Sequence, residues 1–351
     1  MRFNHIQTLR FFAAAAVVLY HSLNTGKAYL HVDKSLFFGI FDYGYFGVYL
    51  FFVISGFIIY YTTHNSNRGP AAFLIRRCER IVPLYWGATF AMIFLAVAFP
   101  SVFNDVGWLN TDNILKSFLF VTFTDGHFPI VYLGWTLEFE MFFYLSAGLF
   151  LFYQEEAWGI LSAVFSLLVL LGCTYHPLVR SLYYEFFTNP LLMEFIFGII
   201  VARVFCKKLL YKWEISAVIA ATCALFVTEA YSGLITDDRV ITAGILPAVI
   251  VAWAALLNTK QIVPYRLESV LVVLGDASYS IYLVQVFTVP LFCKLWVKWL
   301  PPGAIDVLIA LTASMTVLAG YMVYVFIERP MLRLSRKALA LAARTPEGEL
   351  P

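Results

Sequence analysis

The sequence predicts an all-α, polytopic membrane protein, and three observations carry that prediction. Hydrophobic residues make up 61% of its 351 positions and charged residues only 13%, with a mean hydropathy of +0.80. That is more apolar surface than one soluble core could bury. Apolar runs long enough to cross a hydrocarbon layer of about 30 Å recur along the whole chain. Short polar or Pro-containing breaks separate them, as helices that satisfy their own backbone hydrogen bonds in lipid require.

About ten transmembrane helices follow, at 8–24, 43–62, 82–100, 132–153, 157–174, 189–206, 214–230, 240–257, 272–293 and 304–327. The first is TLRFFAAAAVVLYHSL, apolar apart from Arg10 and His21. The second ends in FFVISGFIIYYTTH, and a basic stretch, FLIRRCER, leads into the third. GWTLEFEMFFY opens the fourth. The ninth begins with Gly275, Asp276 and a Ser/Tyr cluster and contains Pro290, which predicts a bent helix or two pieces. Residues 113–124 are apolar but too short to span, so they are expected at the surface or as a re-entrant piece.

With the N-terminus inside, seventeen of the 24 Lys and Arg residues fall on inner segments and seven on outer ones. This bias places both termini on the cytoplasmic side, and an even number of spans agrees. One membrane domain, 1–337, followed by a short cytoplasmic tail, 338–351, is expected, with no cleavable signal ahead of it. The five cysteines show no CxxC spacing and the loop histidines no ligand spacing. Neither a metal site nor a disulfide framework is therefore expected, and the net charge of +2 calls for no nucleic-acid partner.

Ionisable groups inside a membrane are costly and mark functional candidates. Arg10 and His21, eleven residues apart, lie roughly 16 Å apart along a helix and within roughly 20° of one face. A neutral imidazole can act as a general base, whereas the plainer reading is an interhelical hydrogen bond and a snorkelling arginine. Arg76 and Arg80, or Arg77 and Arg80, share a helix face and could grip phosphates bidentately; ordinary anchoring on anionic lipid is the alternative. Glu138 and Glu140 point about 200° apart, so only one can face a given pocket. Span lengths put Glu140 at a depth similar to that of His21, which predicts that the carboxylate orients the imidazole. Tyr85 and Trp135 could line the site or belong to an aromatic belt. Glu328 and Arg329 read as a salt bridge at the inner surface, and Asp276 as a helix cap or a site residue.

Together these stretches resemble acyltransferase family 3, the bacterial integral-membrane O-acyltransferases, in order along nearly the whole chain. The resemblance rests on Arg10 and His21, on FFVISGFII, on Arg77 and Arg80 as an RxxR pair, on GWTLEFEMFFY, and on NPLLMEFIFGIIVAR, LGDASYSIYLVQ and IERPMLR. GWTLEFEMFFY is especially similar to the exopolysaccharide acetyltransferase branch.

The resemblance implies an enzyme of the bacterial inner (cytoplasmic) membrane. It would transfer an acyl group, usually acetyl, from cytoplasmic acyl-CoA to a hydroxyl of an exopolysaccharide or other cell-surface glycan precursor. His21 would be catalytic and Glu140 would occupy the family's acidic position. Arg77 and Arg80 would be donor-side residues. We add Arg76 and Arg10 to the acetyl-CoA site from the residues themselves; acetyl-CoA is a co-substrate, and no separate cofactor is expected. Gln285 departs from the pattern, standing where many relatives have histidine, and no esterase-like domain follows the last span. His21 could deprotonate the acceptor or carry the acetyl group as acyl-imidazole; the residues leave both open, as they do the oligomeric state. Composition alone also suits a transporter or flippase of lipid-linked sugars, or a structural subunit of an export assembly, though no repeated halves favour transport.

Overall fold

The computed structural model describes residues 3–31, 37–64, 69–103, 106–124, 126–175, 181–208, 240–257, 264–299 and 305–342. All regular structure among them is helical. Eight helical stretches are long and apolar enough to cross a membrane, and a shorter apolar helix covers Gly244–Leu257. The expected span at 214–230 lies outside the described residues.

Helix α1, Asn4–Leu30, is one turn longer at each end than its apolar run. Its 27 residues extend about 40 Å, more than the hydrocarbon thickness. It stops where His31 takes a left-handed conformation and its N–H caps the Lys27 carbonyl. Helix α2, Phe46–His64, returns beside it. Helix α3, Pro70–Ala98, begins twelve residues before the span read from the sequence. Pro70 sits in its first turn, where the missing N–H costs nothing, so the basic stretch is helix rather than flank. The short amphipathic α4, Thr111–Leu119, is capped by Asn110 and ended by Phe120 at φ 59°.

Helices α5, Gly134–Phe150, and α6, Ala157–Thr174, are joined by a 3₁₀ stretch. A one-turn α7, Leu182–Phe187, leads to α8, Leu192–Cys206. Helix α9 is Val240–Leu257. The ninth predicted span is two pieces, α10, Tyr265–Asp276, and α11, Ser278–Trp299. The break falls at Ala277, whereas Pro290 is absorbed inside α11. The last span is α12, Ile305–Val323, continued through a π turn, Tyr324–Glu328, into α13, Arg329–Ala342. Widening the helix just before Pro330 relieves the ring's clash with the preceding turn, so the chain runs on.

Glycines set how closely these helices approach. A Cβ on Gly56 would lie 2.1 Å from the Phe195 carbonyl oxygen, and one on Gly198 2.1 Å from that of Val53, so α2 and α8 meet backbone to backbone. Close approach of this kind drives association in lipid, where apolar side chains gain little from leaving the solvent. Phe143 and Phe52 stack on Phe195 at centroid distances of 4.3 and 4.7 Å, welding α5 to the same pair. At the Asn4 end of α1, Gly275 allows α10 to seat against the Gln7 carbonyl.

Candidate active site

Between α1, α2, α3, α5 and α11 lies a cavity of about 110 Å³. Arg10 enters it from α1, Arg77 and Arg80 from α3, and Glu140 from α5; Ser55, Tyr144, Tyr279 and Tyr282 complete the polar lining. Ile81 shares the lining with Arg77 and Arg80, which centres the facing side of α3 near Arg77. Arg76, about 100° round the helix from Arg77, is exposed and lines nothing there. Of the two arginine pairings open from the sequence, the cavity takes Arg77 with Arg80.

The three guanidiniums form no ion pair among the described residues. Arg10 donates to Gln7 Oε1 at 3.3 Å and Arg77 to Thr62 Oγ1 at 3.2 Å. Arg77 also lies over the rings of Phe73 and Tyr144, 5.4 and 5.8 Å from their centroids, while its Nε is buried with no hydrogen-bond partner. Glu140 accepts from Ser55 Oγ at 2.9 Å and from the Tyr144 hydroxyl. The lining thus carries three positive groups and one carboxylate, whose Oε1 takes both of these hydrogen bonds. Such a chamber is suited to an anion that can take several charge-assisted hydrogen bonds at once.

Glu328 is 2% exposed and accepts from Ser280 Oγ, so it is an interior residue and forms no surface salt bridge with Arg329. Asp276 ends α10 and lines a separate polar cleft with Asn4, Glu268 and Arg329.

His21 lies outside the cavity. Its ring stands edge-on to Tyr20 at 5.2 Å and to Tyr132 at 5.4 Å. The expected pairing with Glu140 is not formed, because the depth reckoning put the two groups level when they are not. Tyr132, which touches His21, comes before α5, and Glu140 follows it by eight residues, most of them helical, or roughly 12 Å along the axis. The cavity does climb toward His21. Its far end is lined by Val48, Thr136 and Tyr282, and Thr136 is only about one turn from Tyr132. There Tyr282 OH and Thr136 Oγ1 lie 2.7 Å apart, and Tyr282 OH donates to the Leu133 carbonyl at 3.3 Å.

Tyr85 and Trp135 line neither the cavity nor the His21 cluster. Tyr85 is 1% exposed and packs on Phe120 and against Gly134, holding α3 to α5; Trp135 meets the edge of Phe139. Glu138 and Glu140 diverge as helical geometry requires. Glu138 is buried and accepts from Thr122 N at 2.8 Å and Thr122 Oγ1 at 2.6 Å, tying α5 to the 3₁₀ turn Thr122–Thr124. Ser55 and Tyr144 are cavity residues that the sequence reading does not include. Tyr144 had a readable signal, lying one turn after Glu140 on the same face. Gln285 is fully buried in α11, its Nε2 donating to the Tyr282 carbonyl at 2.9 Å. Among the described residues no cluster of His, Cys, Asp or Glu could hold a metal ion.

Comparison with known proteins agrees with this arrangement of motifs. Residues 3–326 match the model of the acyltransferase domain of the acyltransferase 3 family. The chain is 33% identical over 320 residues to the exopolysaccharide production protein ExoZ of Rhizobium meliloti (strain 1021), covering 88% of this chain and 96% of the relative. No solved structure matches significantly. A family match across the helices that carry Arg10, His21, Arg77, Arg80 and Glu140 identifies the chain as a member of the acyltransferase 3 family.

Proposed function

We propose that this protein is a membrane O-acetyltransferase that moves an acetyl group from acetyl-CoA to a hydroxyl of an exopolysaccharide or another cell-surface glycan precursor. The observation that carries the reading is the convergence of Arg10, Arg77 and Arg80, which form no ion pair among the described residues, on one cavity whose Thr136–Tyr282 end lies on the side of His21. Phosphates of the donor engage the guanidiniums, with Arg77 and Arg80 as the principal grip. The pantetheine arm follows α1 and brings the thioester to His21, roughly 16 Å farther along the helix. The similarity to a protein named for exopolysaccharide production supports the acceptor class.

In the direct route His21 accepts the proton of the acceptor hydroxyl as its oxygen bonds to the thioester carbonyl carbon. The C–S bond then breaks and CoA leaves as the thiol, taking that proton. In the covalent route the imidazole nitrogen bonds to the thioester carbonyl carbon, the C–S bond breaks and CoA leaves as the thiol with the imidazole proton; the acceptor hydroxyl then attacks the acyl-imidazole, and its proton goes to the departing imidazole. The enzyme sits in the bacterial inner membrane with both termini cytoplasmic, so the arginine cavity faces the acetyl-CoA pool. The test is incubation of the purified chain in nanodiscs with acetyl-labelled acetyl-CoA and de-O-acylated exopolysaccharide from the producing bacterium. Covalent, base-labile label on the polysaccharide is the expected result. Sugar translocation in vesicles with no such label would overturn the reading in favour of transport. Ping-pong kinetics with trappable acetyl-His21 would select the covalent route.

A further inference from the structure

Beyond the arginine cavity, α1 meets side chains of another kind. His21 is edge-on to Tyr20 and Tyr132, Tyr20 is edge-on to Tyr45 at 5.9 Å, and Tyr45 to Tyr49 at 5.9 Å. Three chain segments contribute: the second half of α1, the entry to α2 and the entry to α5. All five rings are half-buried, so each keeps an open side.

Their relative position is constructed. A Cβ on Gly44 would lie 2.2 Å from the Ala16 carbonyl oxygen and 2.7 Å from Tyr20 Cβ, so glycine alone lets the chain bring Tyr45 beside Tyr20. An ion pair of 2.9 Å between Lys27 and Asp42 ties the 3₁₀ stretch Phe37–Tyr43 to α1. The turn that carries Tyr132 is held by Leu133, whose carbonyl accepts from Tyr282 OH and, at 3.0 Å, from Thr136 Oγ1. An aromatic belt needs only rings at a common depth; here the rings meet one another and surround a histidine.

A pyranose has a C–H face that is apolar and a rim of hydroxyls. Tyrosine offers the complement, a flat apolar body with a polar tip and little conformational freedom to lose. Binding sites for small polar molecules combine such surfaces with a few placed polar groups. We propose that Tyr20, Tyr45 and Tyr132 form the acceptor platform, on which one pyranose ring of the glycan stacks and presents a hydroxyl to His21. The proposal rests on the acyl-transfer reading above and adds to it which residues hold the acceptor. It puts the acceptor and the donor phosphates at different levels of α1.

The experiment uses the full chain in nanodiscs and two readouts: binding of fluorescently labelled, de-O-acylated exopolysaccharide without donor, and acetyl transfer at saturating acetyl-CoA. Tyr45→Ala, which does not touch the His21 ring, is the principal variant, with Tyr132→Ala beside it and Tyr45→Phe as the variant that keeps the ring. Stacking of this kind predicts a weakening of about tenfold in polysaccharide Kd and KM for the alanine variants. KM for acetyl-CoA stays within about twofold, and Tyr45→Phe stays near wild type. Unchanged polysaccharide binding in folded Tyr45→Ala and Tyr132→Ala proteins overturns the platform, as does failure of the wild type to bind the polysaccharide. A wild type that binds it, loses binding on Tyr45→Ala and transfers no acetyl sustains the platform and sinks the acyl-transfer reading instead.

Discussion

Around Arg10, α1 faces a chamber in which three guanidiniums meet one carboxylate; eleven residues later, around His21, it faces half-buried tyrosine rings. The first region is charged and directional, with donors converging from two helices. The second is aromatic, with rings set edge to face and tipped with hydroxyls. Both lie on one helix, at a spacing of roughly 16 Å and close to one face. A single continuous helix thus carries both the proposed anion grip and the proposed reacting group. The contrast also reassigns Glu140, which belongs to the chamber through Ser55 and Tyr144 and not to the histidine.

That contrast can be broken at several points. The largest expected effect is at the tyrosine end: His21→Ala lowers acetyl transfer by about 10²- to 10⁴-fold while the Kd for acetyl-CoA, measured by equilibrium binding, stays near wild type. Loss of donor binding in that variant would erase the division between the two ends. Next is the chamber. Arg77→Ala combined with Arg80→Ala raises the Kd for acetyl-CoA by about 10- to 100-fold, as loss of charged hydrogen bonds does. Arg77→Lys recovers only part, because an ammonium cannot reproduce the planar contact with Phe73 and Tyr144.

Glu140→Gln sharpens the comparison. It keeps an oxygen for Ser55 and removes a charge from the chamber, so thermal stability falls by about 1 kcal/mol and the pH–rate profile keeps its wild-type midpoint. A midpoint displaced toward lower pH would restore the carboxylate as partner of His21, since a lost anion destabilises the imidazolium. The smallest effect is Arg76→Ala. Exposed beside the two cavity-lining arginines, it changes acetyl-CoA binding by less than about twofold, and an effect equal to that of Arg77→Ala would enlarge the chamber by one residue.

Much of the fold was legible because lipid imposes strong rules on sequence. The apolar run at 157–174 coincides with α6 to the residue, the run at 240–257 is helical throughout in α9, and the weak point before the Ser/Tyr cluster became the break at Ala277. Where hydropathy was a poor guide, polar residues were helical. Helix α3 starts at Pro70 and two of its arginines, Arg77 and Arg80, face the cavity, in a stretch that a hydropathy reading treats as flank. The candidate residues were legible as costly groups on periodic faces, but their partners were not. Ser55, Tyr144, Tyr20 and Tyr132 carry no penalty in a membrane sequence that would draw attention to them.

By itself the sequence determined that the chain is helical, that it is built for a bilayer, and that Arg10 and His21 lie near one face of one helix, because 3.6-residue periodicity and the cost of burying charge are local properties. Only the tertiary structure decided which groups meet. Depth within a bundle depends on where neighbouring helices begin and how closely glycines such as Gly44 and Gly56 let them approach. Those contacts gave Glu140 to Ser55 and Tyr144, turned Arg76 outward, and set tyrosines around His21.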